Sequence, residues 1–205
     1  MRGLYLVTPN WDDTDQLLDI TEQALDAGVA LLQYRHKNAN AALRQEQGAA
    51  LLELCRKYGC PLIINDYLEL CLNLGADGVH VGGLDASVAQ TRAALGPDKI
   101  VGASCYGELA LAEAAQRDGA SYVAFGGFYP SLVKQYPVTT AAGIVDEAVR
   151  AIALPCVVIG GMTPENAAPL AARGADMVAA ISSVYLAADP GAAVRRFQAL
   201  FAASA

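Results

Sequence analysis

The sequence predicts an α/β fold, a closed (β/α)8 TIM barrel in which residues 1–205 form one compact domain. Three observations lead there. Short, almost wholly apolar runs alternate with longer helical stretches along the whole chain, the pattern of strands buried on both faces of a parallel sheet. A turn phrase recurs where helix returns to strand: Asp26-Ala27-Gly28-Val29, Gly75-Ala76-Asp77-Gly78-Val79, Asp118-Gly119-Ala120-Ser121-Tyr122 and Gly174-Ala175-Asp176-Met177-Val178. Eight such units share the 205 residues, about 26 each, which is room for a strand of ~5, a helix of ~11 and two short loops. An open doubly wound sheet would call for a glycine-rich turn after its first strand. Here that turn is Thr8-Pro9-Asn10-Trp11-Asp12, with no glycine.

Strand one is read at 4–8, stopped by Pro9, with a helix at 13–27 closed by Gly28. Strand two at 30–35 leads to a helix at 41–58, and strand three at 62–64 to a helix at 67–74 closed by Gly75. Strands at 78–81 and 100–103 precede helices at 86–95 and 107–118, the latter closed by Gly119. The strand at 122–125 opens into the one long connection, 126–139, which reads as an active-site loop before a helix at 140–152. After the strand at 156–159, Thr163-Pro164 supplies an N-cap and a proline at the first helical position for 164–173, closed by Gly174. A strand at 177–181 and a helix at 190–203 complete the set.

Composition narrows the function. With 54% hydrophobic and 17% charged residues, the chain is no disordered or solvating segment. A chain of this length buries roughly 70% of its unfolded surface, so it needs neither disulfide nor metal to fold. A net charge of −7 without a basic run argues against nucleic-acid or anionic-membrane partners. Phosphate must therefore meet local cations or a metal. The five cysteines (Cys55, Cys60, Cys71, Cys105, Cys156) include no CxxC pair and sit in apolar surroundings, which points to a reduced, cytoplasmic protein. The apolar stretch after Met1-Arg2-Gly3 is too short for a signal peptide, and no other run suits a membrane span.

Barrels carry their chemistry at the C-terminal ends of the strands. After strand two, Gln33, Arg35 and Lys37 share one face by alternation, and the Arg/Lys pair suits a phosphate clamp or, alternatively, a salt-bridged strand end. Asn65-Asp66 follows strand three and Asp85 follows strand four. Two such carboxylates either hold one Mg2+ shared with a substrate phosphate or cap the helices that follow them. His80 is read as a packed, hydrogen-bonded histidine. Ser104 offers a small hydroxyl after strand five, and Ser131 and Lys134 reach from the long loop. The only histidines, His36 and His80, leave Cys105 without a base beside it, so a Cys/His nucleophile is not expected. Gly160-Gly161 and Ile181-Ser182-Ser183 close strands seven and eight, where barrel loops bind phosphate through backbone N–H groups or where glycine serves tight packing. One mouth thus gathers a cationic, metal-suited anion site and a neutral backbone nest, fitting a diphosphate and a monophosphate substrate.

In these blocks the whole chain resembles the thiamine-phosphate synthase family: Leu4-Tyr5-Leu6-Val7-Thr8, Gln33-Tyr34-Arg35-His36-Lys37, Ile64-Asn65-Asp66, Gly75 through Gly82 and Ile159-Gly160-Gly161-Met162-Thr163, in order. The resemblance implies Mg2+-dependent joining of a hydroxymethylpyrimidine diphosphate to a thiazole phosphate, with release of pyrophosphate. It implies Gln33, Tyr34, Arg35, His36, Lys37 and Asn65 as the pyrimidine-diphosphate clamp, and Asp66 and Asp85 as metal ligands. Ser104 matches a pyrimidine contact and Lys134 a diphosphate contact, and with Arg35 and Lys37 these are the catalytic residues implied. Ser131, Leu132, Val133, Gly161, Ile181 and Ser182 match the thiazole-phosphate side. The implied partners are these two small molecules, with a homo-oligomer left open.

The chain departs from the family pattern in places. Tyr67 stands for an Arg, Gly83 for a Gln, Tyr106 for the His of Ser-x-His, and Ser131-Leu132-Val133-Lys134 for Thr-x-Thr-Lys. Alternatives are a thiazole tautomerase, whose loop histidine is replaced here by Gly127, a non-catalytic thiazole-phosphate binder, and another barrel phosphosugar isomerase.

Overall fold

The computed structural model describes residues 1–82, 87–131 and 140–202. Eight parallel strands close into a barrel in sequence order: β1 (Gly3–Val7), β2 (Leu31–Tyr34), β3 (Leu62–Asn65), β4 (Gly78–Gly82), β5 (Ile100–Tyr106), β6 (Tyr122–Gly126), β7 (Cys156–Ile159) and β8 (Met177–Ala180). The expected fold class is the one observed. The described residues form nine helices: α1 (Thr14–Asp26), α2 (Ala41–Tyr58), α3 (Leu68–Leu74), α4 (Val88–Leu95), α5 (Leu109–Arg117), α6 (Gly143–Ala151), α7 (Pro164–Ala172), α8 (Ser182–Tyr185) and α9 (Pro190–Ala202).

The strands are apolar on both faces because they have two cores to fill. Tyr5, Val7, Leu31, Ile63, Tyr122, Ala124, Val157, Met177 and Ala179 pack inside the barrel. Their neighbours along each strand, such as Leu4, Leu6, Leu32, Ile64 and Val158, face the helices. The interior alternates large and absent side chains. Gly102 pairs with Tyr122 across β5 and β6, and a Cβ at Gly102 would overlap the Tyr122 ring.

The recurring turn phrase has a physical job. The Asp77 carboxylate accepts from the Leu62 amide at 2.8 Å, Asp176 from the Cys156 amide at 2.8 Å, and the Ser121 hydroxyl from the Val101 amide at 3.1 Å. Each side chain satisfies an N–H at the start of the preceding strand, the first residue's for Leu62 and Cys156 and the second's for Val101, which would otherwise be a buried orphan. The glycines of the same phrases take left-handed backbone, with φ of 98° at Gly28 and 105° at Gly174. Thr163 caps α7 in a reciprocal capping box with Asn166. Two boundaries differ from expectation. β5 runs three residues further than 100–103, through a bulge at Ser104/Tyr106, and the chain turns from Ala180 into the short helix α8.

All five thiols are free and buried. Burial pushes Cys71 up to about 11, and Cys105 and Cys156 up to about 12, from an ordinary 9.0. The unfolded chain gives up these protons first, so stability is complete below about pH 9 and falls as pH climbs toward 12. Urea midpoints taken at rising pH should decline above about pH 9. A midpoint flat to about pH 11 would mean that the native thiols titrate as free ones.

Candidate active site

A cavity of about 820 Å³ opens at the C-terminal end of the barrel. Its floor is Tyr5, Val7, Val157 and Ala179, and its rim is drawn from the ends of β2 through β8. Gln33, Arg35, Lys37, Asn65, Asp66 and Ser104 line one side, and Ser131, Gly161, Ile181 and Ser182 line the other. Tyr34 and His36 point away, as alternation along β2 requires, which corrects their place in the expected clamp. The Tyr34 hydroxyl donates to Gln47 Oε1 at 3.0 Å among the helices. His36 is buried, with Nε2 3.0 Å from Asp12 Oδ1 and Nδ1 accepting from the Ala39 amide at 3.1 Å. It ties the loop after β1 to the loop after β2. Leu132, Val133, Lys134 and Asp85 lie outside the described residues.

The two cations are set from β1. The Thr8 hydroxyl donates to the Arg35 carbonyl at 3.1 Å and accepts from the Arg35 amide at 2.8 Å. Asn10 Oδ1 accepts from Arg35 Nη1 at 3.4 Å and from the Lys37 amide at 3.2 Å. Arg35 is 6% exposed, and a guanidinium held this deep presents its fork with little rotamer freedom left to lose.

Asp66 sits at φ 61°, a conformation that non-glycine residues adopt at some energetic cost and that recurs at functional sites. The capping alternative does not hold. Tyr67 occupies the cap position of α3 with no side-chain cap bond, and Ser87 caps α4 where Asp85 was the candidate. The Asp66 carboxylate instead faces the cavity, accepting from Asn65 Nδ2 at 2.7 Å with Lys37 Nζ 3.6 Å away. The Tyr67 ring lies under the Arg44 guanidinium, 4.1 Å from ring centroid to charge. It anchors the loop to α2 rather than entering the cavity.

A row of hydrogen bonds crosses the barrel beneath the cavity. Gln33 Nε2 donates to the Tyr5 hydroxyl at 2.7 Å, and the Tyr5 and Tyr122 hydroxyls are 2.6 Å apart. Tyr122 bonds His80 Nδ1 at 2.9 Å, and His80 Nε2 bonds Ser104 Oγ at 2.8 Å. His80 is therefore the hydrogen-bonded core histidine expected. The sequence marks Tyr5 and Tyr122 only as strand residues. A hydroxyl carried by an aromatic ring inside an apolar strand needs a buried partner, and that was the available signal.

Gly160 and Gly161, with φ of 119° and 58°, lie backbone to backbone against residues 127–130. A Cβ at Gly161 would overlap the Pro130 carbonyl oxygen, so tight packing alone already demands glycine. Gly161→Ala should destabilise the fold by about 1–3 kcal/mol through overlap and left-handed strain. A urea midpoint equal to the parent's would show that the two loops can part freely.

Among the described residues, no three His, Cys, Asp or Glu side chains converge on one point, and no helix is long and apolar enough to cross a membrane. The raised thiols offer no nucleophile.

The model of the family described as thiamine monophosphate synthase matches residues 4–184. A thiamine-phosphate synthase of Janthinobacterium sp. (strain Marseille) is 67% identical over 98% of both chains, and one of Xylella fastidiosa (strain Temecula1) is 46% identical over 98% of this chain and 85% of its own. A solved thiamine phosphate pyrophosphorylase from Pyrococcus furiosus superposes with a TM-score of 0.84 at 28% identity, over 97% of this chain and 94% of that one. A 3-hexulose-6-phosphate synthase shares the fold at 19% identity and a TM-score of 0.71. The chain belongs to the thiamine monophosphate synthase family.

Proposed function

We propose that this enzyme is a Mg2+-dependent thiamine-phosphate synthase of the reducing cytoplasm. It joins 4-amino-2-methyl-5-hydroxymethylpyrimidine diphosphate to 4-methyl-5-(2-phosphoethyl)thiazole, or to its carboxylate, giving thiamine phosphate and pyrophosphate. The observation that carries this reading is one cavity with two unlike walls. Arg35, Lys37 and Asp66 gather on one, and Ser131, Gly161, Ile181 and Ser182 on the other. The family match supports it, and five free, buried thiols suit a reducing compartment.

Asp66 fits a magnesium ligand. Its carboxylate is a hard oxygen donor 18% exposed at the cavity wall, and Mg2+ is held by one or two carboxylates with waters and substrate phosphates rather than by a full protein cage. Asp66 and Asp85 would hold it. When bound, the ion offsets negative charge on the diphosphate.

The residues act by charge and position. Arg35, Lys37 and Lys134 stabilise the diphosphate as the methylene C–O bond breaks and both electrons leave with oxygen. Gln33, Asn65 and Ser104 orient the pyrimidine, whose ring bears the carbocation formed. The thiazole nitrogen, held by its phosphate at Ser131, Leu132, Val133, Gly161, Ile181 and Ser182, then supplies its lone pair to form the C–N bond. No protein nucleophile takes part, in keeping with the burial of all five thiols.

The deciding experiment is pyrophosphate release from purified protein with each substrate alone, with both, and with or without Mg2+. Release that requires both substrates and the ion is the expected result. Thiazole-phosphate binding without release would move the protein to the tautomerase or binding-protein class.

A further inference from the structure

The hydrogen-bonded row under the cavity has both ends facing the cavity, Gln33 on β2 and Ser104 on β5, with Tyr5, Tyr122 and His80 between them. With His80 neutral, the row's hydrogens can be arranged along these four bonds in only two complete ways. Each phenol has one hydrogen, and a neutral imidazole has one N–H. If Gln33 donates to Tyr5, then Tyr5 must donate to Tyr122, Tyr122 to His80 Nδ1, and His80 Nε2–H to Ser104. If Ser104 donates to His80 Nε2 instead, every bond reverses and Gln33 must turn its oxygen to Tyr5. A mixture leaves either no hydrogen or two at the joint where the orders meet, such as the 2.6 Å gap between the phenol oxygens, and both are repulsive. Burial holds both phenols well above their ordinary pKa, so neither hydrogen is lost near neutrality.

The Gln33 amide nitrogen faces Tyr5, which selects the first arrangement. We propose that Tyr5, Tyr122 and His80 are positioning residues that lock Gln33 and Ser104 into a matched pair, Gln33 presenting its carbonyl oxygen to the bound ring and Ser104 its hydroxyl hydrogen. The complement is a ring edge with an amino donor beside a ring-nitrogen acceptor. An oxopyrimidine edge sets its carbonyl oxygen against the Gln33 oxygen, a mismatch that leaves a buried polar group unpaired, whereas the Ser104 hydroxyl can turn to accept from a ring N–H. The ring's identity rests on the synthase reading, whereas the order of the hydrogens stands without it.

The order can be read without turnover, by nitrogen NMR of histidine-labelled protein free of substrates. The chain has two histidines, and His36 serves as the reference because the Ala39 amide occupies its Nδ1. In the parent, the His80 hydrogen should sit on Nε2. Gln33→Glu places a group at the far end that only accepts when ionised, as it is above about pH 8 beside Arg35 and Lys37. The His80 hydrogen should then move to Nδ1, across the barrel from the substitution. Gln33→Glu combined with Tyr122→Phe should leave His80 as Tyr122→Phe alone leaves it. A folded Gln33→Glu protein with His80 unmoved overturns the proposal.

Tyr122→Phe, which keeps the ring and its packing, gives a second reading should Gln33→Glu fail to fold. Its kcat/KM preference for the aminopyrimidine diphosphate over the oxo analogue should fall at least about tenfold, while KM for thiazole phosphate holds. A preference equal to the parent's overturns the proposal. A parent protein that releases no pyrophosphate sinks the synthase reading alone, and the His80 tautomer still decides the order.

Discussion

Asp66→Asn should lower pyrophosphate release by about 10²–10³-fold, the scale of losing one charge-stabilising group in a catalytic site. The substitution isolates charge from shape. Asn tolerates left-handed backbone as well as Asp does, so the φ of 61° survives. Its amide oxygen can still accept from Asn65, as the carboxylate does at 2.7 Å. Thermal midpoints should agree within about 2 °C, and the Mg2+ concentration for half-maximal rate should rise. A variant with parental activity would remove Asp66 from the metal site. A variant that unfolds would mean that the carboxylate holds the β3 end together, with Lys37 as its partner.

Arg35→Ala should cut kcat by about 10²–10³-fold and raise KM for the pyrimidine diphosphate, leaving KM for thiazole phosphate unchanged. The split follows from where Arg35 stands, beyond the end of β2, whereas Gly161 and Ser182 follow β7 and β8. Arg35→Lys should restore only a small part, because a single ammonium cannot make the paired contacts of a planar fork. Full activity in Arg35→Lys would reduce the residue to a point charge. A rise in both KM values would mean that the two substrates share this wall.

Much of the barrel was legible because its physics is local. Apolar runs such as Leu4-Tyr5-Leu6-Val7 announce buried strands, and Thr163-Pro164 and Gly174 announce where a helix starts and stops. Most expected site residues came together for the same reason: they sit at strand ends, and strand ends converge in a closed barrel. Among the described residues Tyr34 and His36 were the exceptions, although the alternation that placed Gln33, Arg35 and Lys37 on one face already placed these two on the other. What stayed hidden depends on distance along the chain. Tyr5 and Tyr122 are 117 positions apart and meet only when the barrel closes. The left-handed turn at Asp66 arises where its amide bonds the His80 carbonyl of the next strand, at 2.9 Å, and no local pattern encodes it. Helix α8, at four residues, is too short to show a periodicity.

The seam between β1 and β8, where Gly3 pairs with Met177 and Leu6 with Ala180, sets a schedule for biosynthesis. β1 leaves the ribosome before the other seven strands, yet its partner is made 174 positions later, a wait of roughly 9–35 s at ordinary translation speeds. Throughout that interval Leu4-Tyr5-Leu6-Val7 is an apolar strand with one edge unpaired, a template for pairing with other nascent chains. Growing chains should therefore lean on holding chaperones until the eighth strand emerges. Messages with slow codons late in the sequence should yield more aggregate than the same delay placed early.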